Sequence, residues 1–324
     1  MIRRSHAHRD ARRARARRIV AGTLLIAVVG ASLTTLAIAT NTFGAGQKWE
    51  AVVRRVERFM AGPVPDRPTK ATVLVTDPPD SPEPTPTEAP TPVPSTSAGT
   101  SASPTAAPTA TATPRPPRTR MDVDIVDRPK AVFVSELRPH WCAVAGVQSV
   151  LAILGRVDTS DRTQQRIAGR IGEWEAYADS HNGEWGPAAM ALALDAYGAP
   201  GYEVRAFKSR LTALRDAAVA IERTNSPAIL LAWRGAHTWV MTGYRADADP
   251  AVYRDASISG AYILDPWYPR ISSIWGPSNP PGAFTTAAEL KENFLPWKRP
   301  EGRYPDRDGL WITVVPTTVR GAAG

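Results

Sequence analysis

The chain contains one cysteine, Cys142, and five histidines among 324 residues. A lone thiol cannot form an internal disulfide. It acts either as a small buried hydrophobe or as a nucleophile. The surroundings of Cys142 favour the nucleophile. It follows Pro139-His140-Trp141 and opens the apolar run 143–154. At a helix start the amides are unpaired and the macrodipole is positive, so an anion is favoured there. The turn at Pro139 is expected to leave the thiol at the mouth of a cleft.

A cysteine nucleophile needs a base, usually histidine. Past residue 120 only His140, His181 and His237 are available. His140 stands two residues before the thiol and reads as a loop residue. His181 lies in the polar stretch DSHNGEWG and reads as solvent-exposed. His237 heads the apolar stretch HTWVMTGY, directly after Arg234-Gly235-Ala236. A buried strand that begins with histidine aims the ring at a specific partner; the alternative is a satisfied core or turn histidine. The imidazole in turn needs an acceptor that fixes its orientation. Asp265 ends the apolar stretch 261–264 and precedes Pro266. If 237–244 and 258–265 pair as an antiparallel hairpin, the symmetric register sets His237 opposite Asp265. Opposed Cβ atoms are about 4.5–5.5 Å apart, which suits a carboxylate receiving the Nδ1 proton. A slip of one residue would put the two side chains on opposite faces.

The elements that must position these residues are legible as patterns. Residues 142–154 are apolar nearly all round, so they form a buried central helix closed by Gly155. Polar helicity is expected over 161–171, a helix over 187–197 with Pro187 in its first turn, and an amphipathic helix over 209–223. Strands are expected over 122–126, 131–134, 202–207, 228–233, 237–244, 261–265 and 310–315. Thr286 and Glu289 have capping-box spacing for a short helix. Helices first and strands later give an α+β class with an antiparallel sheet. No internal repeat is visible.

Three segments carry the chemistry in order: Trp141-Cys142-Ala143-Val144-Ala145 at a helix start, then Gly235-Ala236-His237-Thr238-Trp239-Val240, then Leu264-Asp265-Pro266. Together they resemble the papain-like cysteine peptidases that remove bacteriocin leaders after a double glycine, and most closely their stand-alone relatives. The resemblance covers about residues 130–315. The stretch 182–187, Asn-Gly-Glu-Trp-Gly-Pro, is similar to a segment that precedes a cleft-lining helix in those relatives. The resemblance implies a papain-like fold, with a central N-terminal helix on an antiparallel sheet. It also implies that Cys142 is the nucleophile, His237 the base and Asp265 the orienting acid. The activity it implies is hydrolysis of peptide or amide bonds in a peptide or protein substrate, without a cofactor.

One position departs from the family. A glutamine usually stands six residues before the cysteine and donates a hydrogen bond to the oxyanion; here the residue is Glu136. An ionised glutamate cannot donate and would repel negative charge. Losing one such donor typically costs about 10²–10³ in rate. Glu136 is protonated in a buried site, or another donor such as the Cys142 amide suffices, or the domain has lost catalysis and kept its cleft for binding. A tethered binding module is therefore the rival reading, and a transglutaminase-like amide transferase a third. Nine of the ten tryptophans lie past residue 120. Trp141, Trp185, Trp239 and Trp267 stand beside the proposed site and, with Gly186, are candidates to line a cleft; core packing is the commoner use of tryptophan.

The remaining sequence describes how the domain is carried. The net charge is +8, yet residues 1–18 hold eight arginines and one acid, so the rest is close to neutral. With no nucleic-acid motif, that tail reads as a topology signal beside a membrane. Residues 19–39 are 21 residues without a charge, close to the roughly 20 needed to span a bilayer. The basic flank would leave the N-terminus cytoplasmic and the domain extracytoplasmic. A cleavable signal peptide ending at Ala37-Ile38-Ala39 is the alternative, although the run is longer than a usual signal core. Residues 41–62 include an amphipathic juxtamembrane helix with Trp49, Val52, Val53, Val56 and Phe59 on one face. Residues 63–120 hold 16 of the 31 prolines, with many Thr, Ser and Ala, and read as an extended stalk. The globular domain is expected over 121–320. No phosphate-binding glycine loop and no metal-ligand spacing are present.

Overall fold

The computed structural model describes residues 69–76, 115–180, 185–298 and 302–318, together with the isolated positions 52, 56 and 67. The expected membrane segment 19–39 and most of the juxtamembrane helix lie outside these. Among the described residues no helix is long and apolar enough to cross a membrane.

The architecture is α+β, built on one large mixed sheet. The elements run β1 (Thr72–Val75), β2 (Met121–Asp124), α1 (Pro129–Val132), α2 (Cys142–Ile153), α3 (Asp161–Ala168), α4 (Ile171–Trp174) and α5 (Pro187–Ala196). They continue with β3 (Tyr202–Phe207), α6 (Arg210–Thr224), β4 (Ala228–Leu231), β5 (His237–Ala246) and β6 (Ile258–Leu264). The last are β7 (Ile271–Ser272), β8 (Gly276–Pro277), β9 (Ala283–Thr286), α7 (Ala287–Asn293) and β10 (Trp311–Pro316). The sheet order is β1-β3-β10-β4-β5-β6-β9, with β2 paired to β5 beside β4. All pairs are antiparallel except β1 with β3.

That parallel pair alters the expected antiparallel sheet. β1 falls inside the proline-rich stretch 63–120, yet its four residues read TVLV and pair residue for residue with 204–207. A parallel neighbour needs only a long connection, which the chain between β1 and β3 provides. Arg307 fastens β1 further by donating to Thr72 Oγ1 at 3.1 Å. A second difference concerns 131–134, expected as a strand. Residues Pro129–Val132 form one helical turn instead, because Pro129 at its start already has helical φ.

The core is split by the sheet. Successive residues of β4 alternate faces: Ile229 and Leu231 pack with α2 and α5, while Ala228 and Leu230 pack with α6. α2 is buried along 143–151. Its C-terminus ends at Gly155, whose φ of +69° only glycine adopts without strain. Ser160, Ser209 and the Thr286–Glu289 capping box close the N-termini of α3, α6 and α7. α2 has no side-chain cap.

Candidate active site

α2 delivers Cys142 as its first residue. The chain enters through Arg138–Trp141, a turn closed by the Trp141 amide donating to the Arg138 carbonyl at 3.1 Å. His140 takes φ +79° to make that turn. The thiol is half-buried, and no side chain competes for the amides of the first turn. It borders a cavity of about 90 Å³ that Trp185, Gly186, His237, Trp297 and Tyr304 also line. Gly186 has no room for a side chain, since a Cβ would fall 2.5 Å from the Asp179 carboxylate. That carboxylate accepts from the amides of Ala188 and Ala189 and pairs with buried Arg307, which fixes the start of α5.

β5 delivers His237. The strand lies on α2 through a close approach: a Cβ on Gly146 would meet Thr238 Cγ2 at 2.5 Å. Gly146 is one helical turn past Cys142, and Thr238 follows His237. The missing methyl therefore lets the thiol and the imidazole share one cavity. His237 is almost wholly buried and lines the same cavity as Cys142. Its Nε2 lies 2.6 Å from Asp265 Oδ1. That oxygen also accepts the Trp267 amide at 2.9 Å.

The Asp265 contact differs in detail from the expected hairpin. β5 and β6 pair Val240 with Leu264 and Met241 with Ile263, two residues away from the symmetric register. An offset of two preserves the face, so His237 and Asp265 still meet, but diagonally. The nitrogen engaged is Nε2 rather than the expected Nδ1.

Charge in this cluster is strongly coupled. Burial opposes the protonated form of His237, but the Asp265 carboxylate and the Cys142 sulfur outweigh it and hold its pKa above the usual imidazole range. Burial likewise opposes ionisation of Asp265. His237 and the Trp267 amide overcome it and keep the carboxyl below its ordinary value. An imidazolium next to a thiol and fixed by a carboxylate is an arrangement that favours thiolate nucleophilicity and acid catalysis.

Glu136 lies in the loop between α1 and α2 and is buried. Its amide donates to the Pro266 carbonyl at 2.9 Å, and Ser135 Oγ donates to the Tyr268 carbonyl at 2.6 Å. These bonds stitch the Glu136 segment to the turn after Asp265. Arg270 donates Nη1 to Glu136 Oε1 at 2.7 Å and Nη2 to the Glu136 carbonyl at 2.9 Å. Burial pushes the Glu136 carboxyl up to about 7, against the lowering influence of His237 and Arg270.

Several contributors were not visible in the sequence. Trp233 stacks on the His237 ring with centroids 4.0 Å apart and planes inclined by 19°. Its backbone and that of Arg234 have φ of 51° and 62°, and Gly235 follows at 84°. Three consecutive left-handed residues end β4 and turn the chain into His237; only Gly235 hints at this. Trp275 stacks on Trp233 in turn; Trp267, which the sequence had placed beside the site, meets the imidazole edge-on. Indole faces over an imidazolium stabilise its charge while excluding water.

The predicted cleft residues divide. Trp185 and Gly186 line the Cys142 cavity. Trp239 lines a separate cavity of about 230 Å³ with Trp233 and Asp265, because it packs with the α6 side of the sheet. Trp141 packs against the core with the Arg138 guanidinium over its ring, 5.1 Å from the centroid. His181 lies outside the described residues. Among the described residues, no group of three His, Cys, Asp or Glu side chains is placed to hold a metal ion. No family model, curated protein or solved structure matches the chain.

Proposed function

We propose that the domain is a papain-like thiol hydrolase that cleaves a peptide or amide bond. The observation that carries this reading is the Cys142–His237–Asp265 series, in which one buried imidazole is held by a carboxylate and lines the same cavity as the thiol. Cys142 Sγ attacks the carbonyl carbon of the substrate. His237 then donates its proton to the leaving amine as the C–N bond breaks and a thioester forms. Water, deprotonated by the neutral imidazole, releases the acid and regenerates the thiol. Asp265 keeps the ring oriented through both steps. The aromatic and glycine-lined cavity beside Cys142 suits an extended chain of small residues at the point of cleavage.

The basic tail and the apolar run 19–39 support an anchored protein with its N-terminus in the cytoplasm and this domain outside. A second reading, a tethered module that binds peptide without turnover, is favoured by the Glu136–Arg270 ion pair, since an ionised Glu136 would repel an oxyanion. Incubation with a diverse peptide library, followed by mass spectrometry, separates the two. The hydrolase reading expects cleavage products with wild type and none with Cys142→Ala. Peptide retention without cleavage by either protein supports the binding module instead.

A further inference from the structure

Arg307 is a buried cation that the proposed chemistry does not use. Its side chain is 2% exposed and that of its partner Asp179 is 1%. Nη1 donates to the Asp179 carbonyl at 3.0 Å and Nη2 meets the Asp179 carboxylate at 2.9 Å. The guanidinium also lies over the rings of Trp297 and Tyr304, 5.6 and 5.4 Å from their centroids. Asp179, Trp297 and Tyr304 all line the Cys142 cavity. The remaining edge of the guanidinium, Nε, donates to Thr72 of β1 at 3.1 Å. The nearest alternative on that edge, the Asp306 carboxylate, stands at 3.7 Å. A buried guanidinium is tolerated only when its donors are met. β1 therefore completes the setting of a group that shapes the cavity wall.

The residues before β1 are fastened to the same wall. Lys70 Nζ pairs with Asp195 of α5 at 2.6 Å and donates to the Tyr202 carbonyl of β3 at 2.9 Å. Arg67 Nη1 donates to the Glu175 carbonyl, just past α4, at 3.2 Å. α5 begins at Pro187, which lines the cavity beside Gly186. The proline-rich residues after β1 link it to β2, so they join two strands of one sheet. β1 itself is an edge strand paired with β3 alone, and it can detach without the rest of the sheet unfolding.

We propose that β1 and the adjoining Lys70 form a positioning clamp: the Cys142 cavity holds its substrate-binding shape only while they are docked. Thr72 acts through Arg307 and Asp179, and Lys70 through α5; neither touches the substrate. The segment on the N-terminal side of the proline-rich stretch is thus a working part of the site.

The clamp rests on the hydrolase reading for what its cavity does, and two probes of the single thiol keep the failures apart. Iodoacetamide loses iodide to the sulfur and reports the thiol and imidazole, which α2 and β5 position. N-acetyl-dialanyl chloromethyl ketone loses chloride to the same sulfur but must also fit the cavity. In the full chain, combined Lys70→Met and Thr72→Val should slow the chloromethyl ketone about tenfold relative to iodoacetamide, the scale of one lost hydrogen bond to a charged group. Thr72→Ser, which keeps the acceptor, should leave that ratio at the wild-type value. The amides of Ala188 and Ala189, which Asp179 accepts, should exchange faster with deuterium in the combined variant, while those of β5 do not. An unchanged ratio, or equal slowing of both probes, overturns the clamp; a loss in Thr72→Ser as large as in the combined variant overturns the part of Thr72. Should the combined variant fail to fold, Lys70→Met alone is read in the same way. Iodoacetamide alkylation indifferent to His237→Ala overturns the hydrolase reading instead, and exchange at Ala188 and Ala189 then judges the clamp by itself.

Discussion

His237 Nε2 and Asp265 Oδ1 stand 2.6 Å apart at the ends of adjacent strands, both nearly out of solvent. This contact is short, buried and reinforced by the Trp267 amide on the same oxygen. It commits Nε2 to the carboxylate and fixes the orientation of the ring. In Asp265→Asn the group keeps its shape but loses its charge, so the imidazolium loses the partner that outweighs its burial. Iodoacetamide alkylation of Cys142 at mildly acidic pH should slow by about 10²-fold. An unchanged rate would mean that Asp265 only packs there.

Gly146 against Thr238 is the contact that sets α2 on β5. Glycine inside a helix costs about 1 kcal/mol relative to alanine, so at an unconstrained site Gly146→Ala would stabilise. Here the added Cβ would overlap Thr238 Cγ2 at 2.5 Å. The substitution should destabilise by roughly 1–3 kcal/mol and move the thiol relative to the imidazole. Thermal unfolding and alkylation should therefore fall together. Paired Gly146→Ala and Thr238→Ser, which removes the clashing methyl, should restore both.

Glu136 makes a prediction about stability that is separate from catalysis. Its folded pKa is about 7, against 4.5 in an unperturbed carboxyl. Between those values the folded chain holds a proton that the unfolded chain has released. Stability is thus lost as pH rises from the lower value to the higher, by roughly 3 kcal/mol in all. Glu136→Gln has no proton to lose. Its unfolding free energy, measured by denaturant titration, should gain on the wild type by about that amount between mildly acidic and mildly alkaline pH. A constant difference across that range would mean Glu136 is already ionised at low pH.

The parts of this protein that were legible in the sequence are those governed by local rules. The all-apolar run after Cys142 could only be a buried helix. Thr286 and Glu289 stand at capping-box spacing and form one. Ser209 caps α6 as its position suggests. Legibility failed where tertiary contact decides. The strand TVLV at 72–75 is masked by surrounding proline and needs β3 to exist. The β5–β6 register depends on irregularities near Met241 and Arg245 that no short motif announces. His237 and Asp265 were paired from their places at two strand ends, and the two-residue offset kept them on one face. Trp233 was indistinguishable from any core tryptophan, because its stacking on His237 follows from a left-handed turn with a non-glycine residue at each of its first two positions. Arg270 gave no signal, since its partner is 134 residues away.

Thiol hydrolysis here requires a thiol and an imidazole, 95 residues apart in sequence, to work as one unit. Because Cys142 is the only cysteine, iodoacetamide reports on it alone. The most direct test is its alkylation rate at mildly acidic pH in the wild type and in His237→Ala, with both shown to be folded. The wild type should react about 10²-fold faster. Equal rates in the two proteins would contradict the pairing and leave Cys142 an ordinary half-buried thiol.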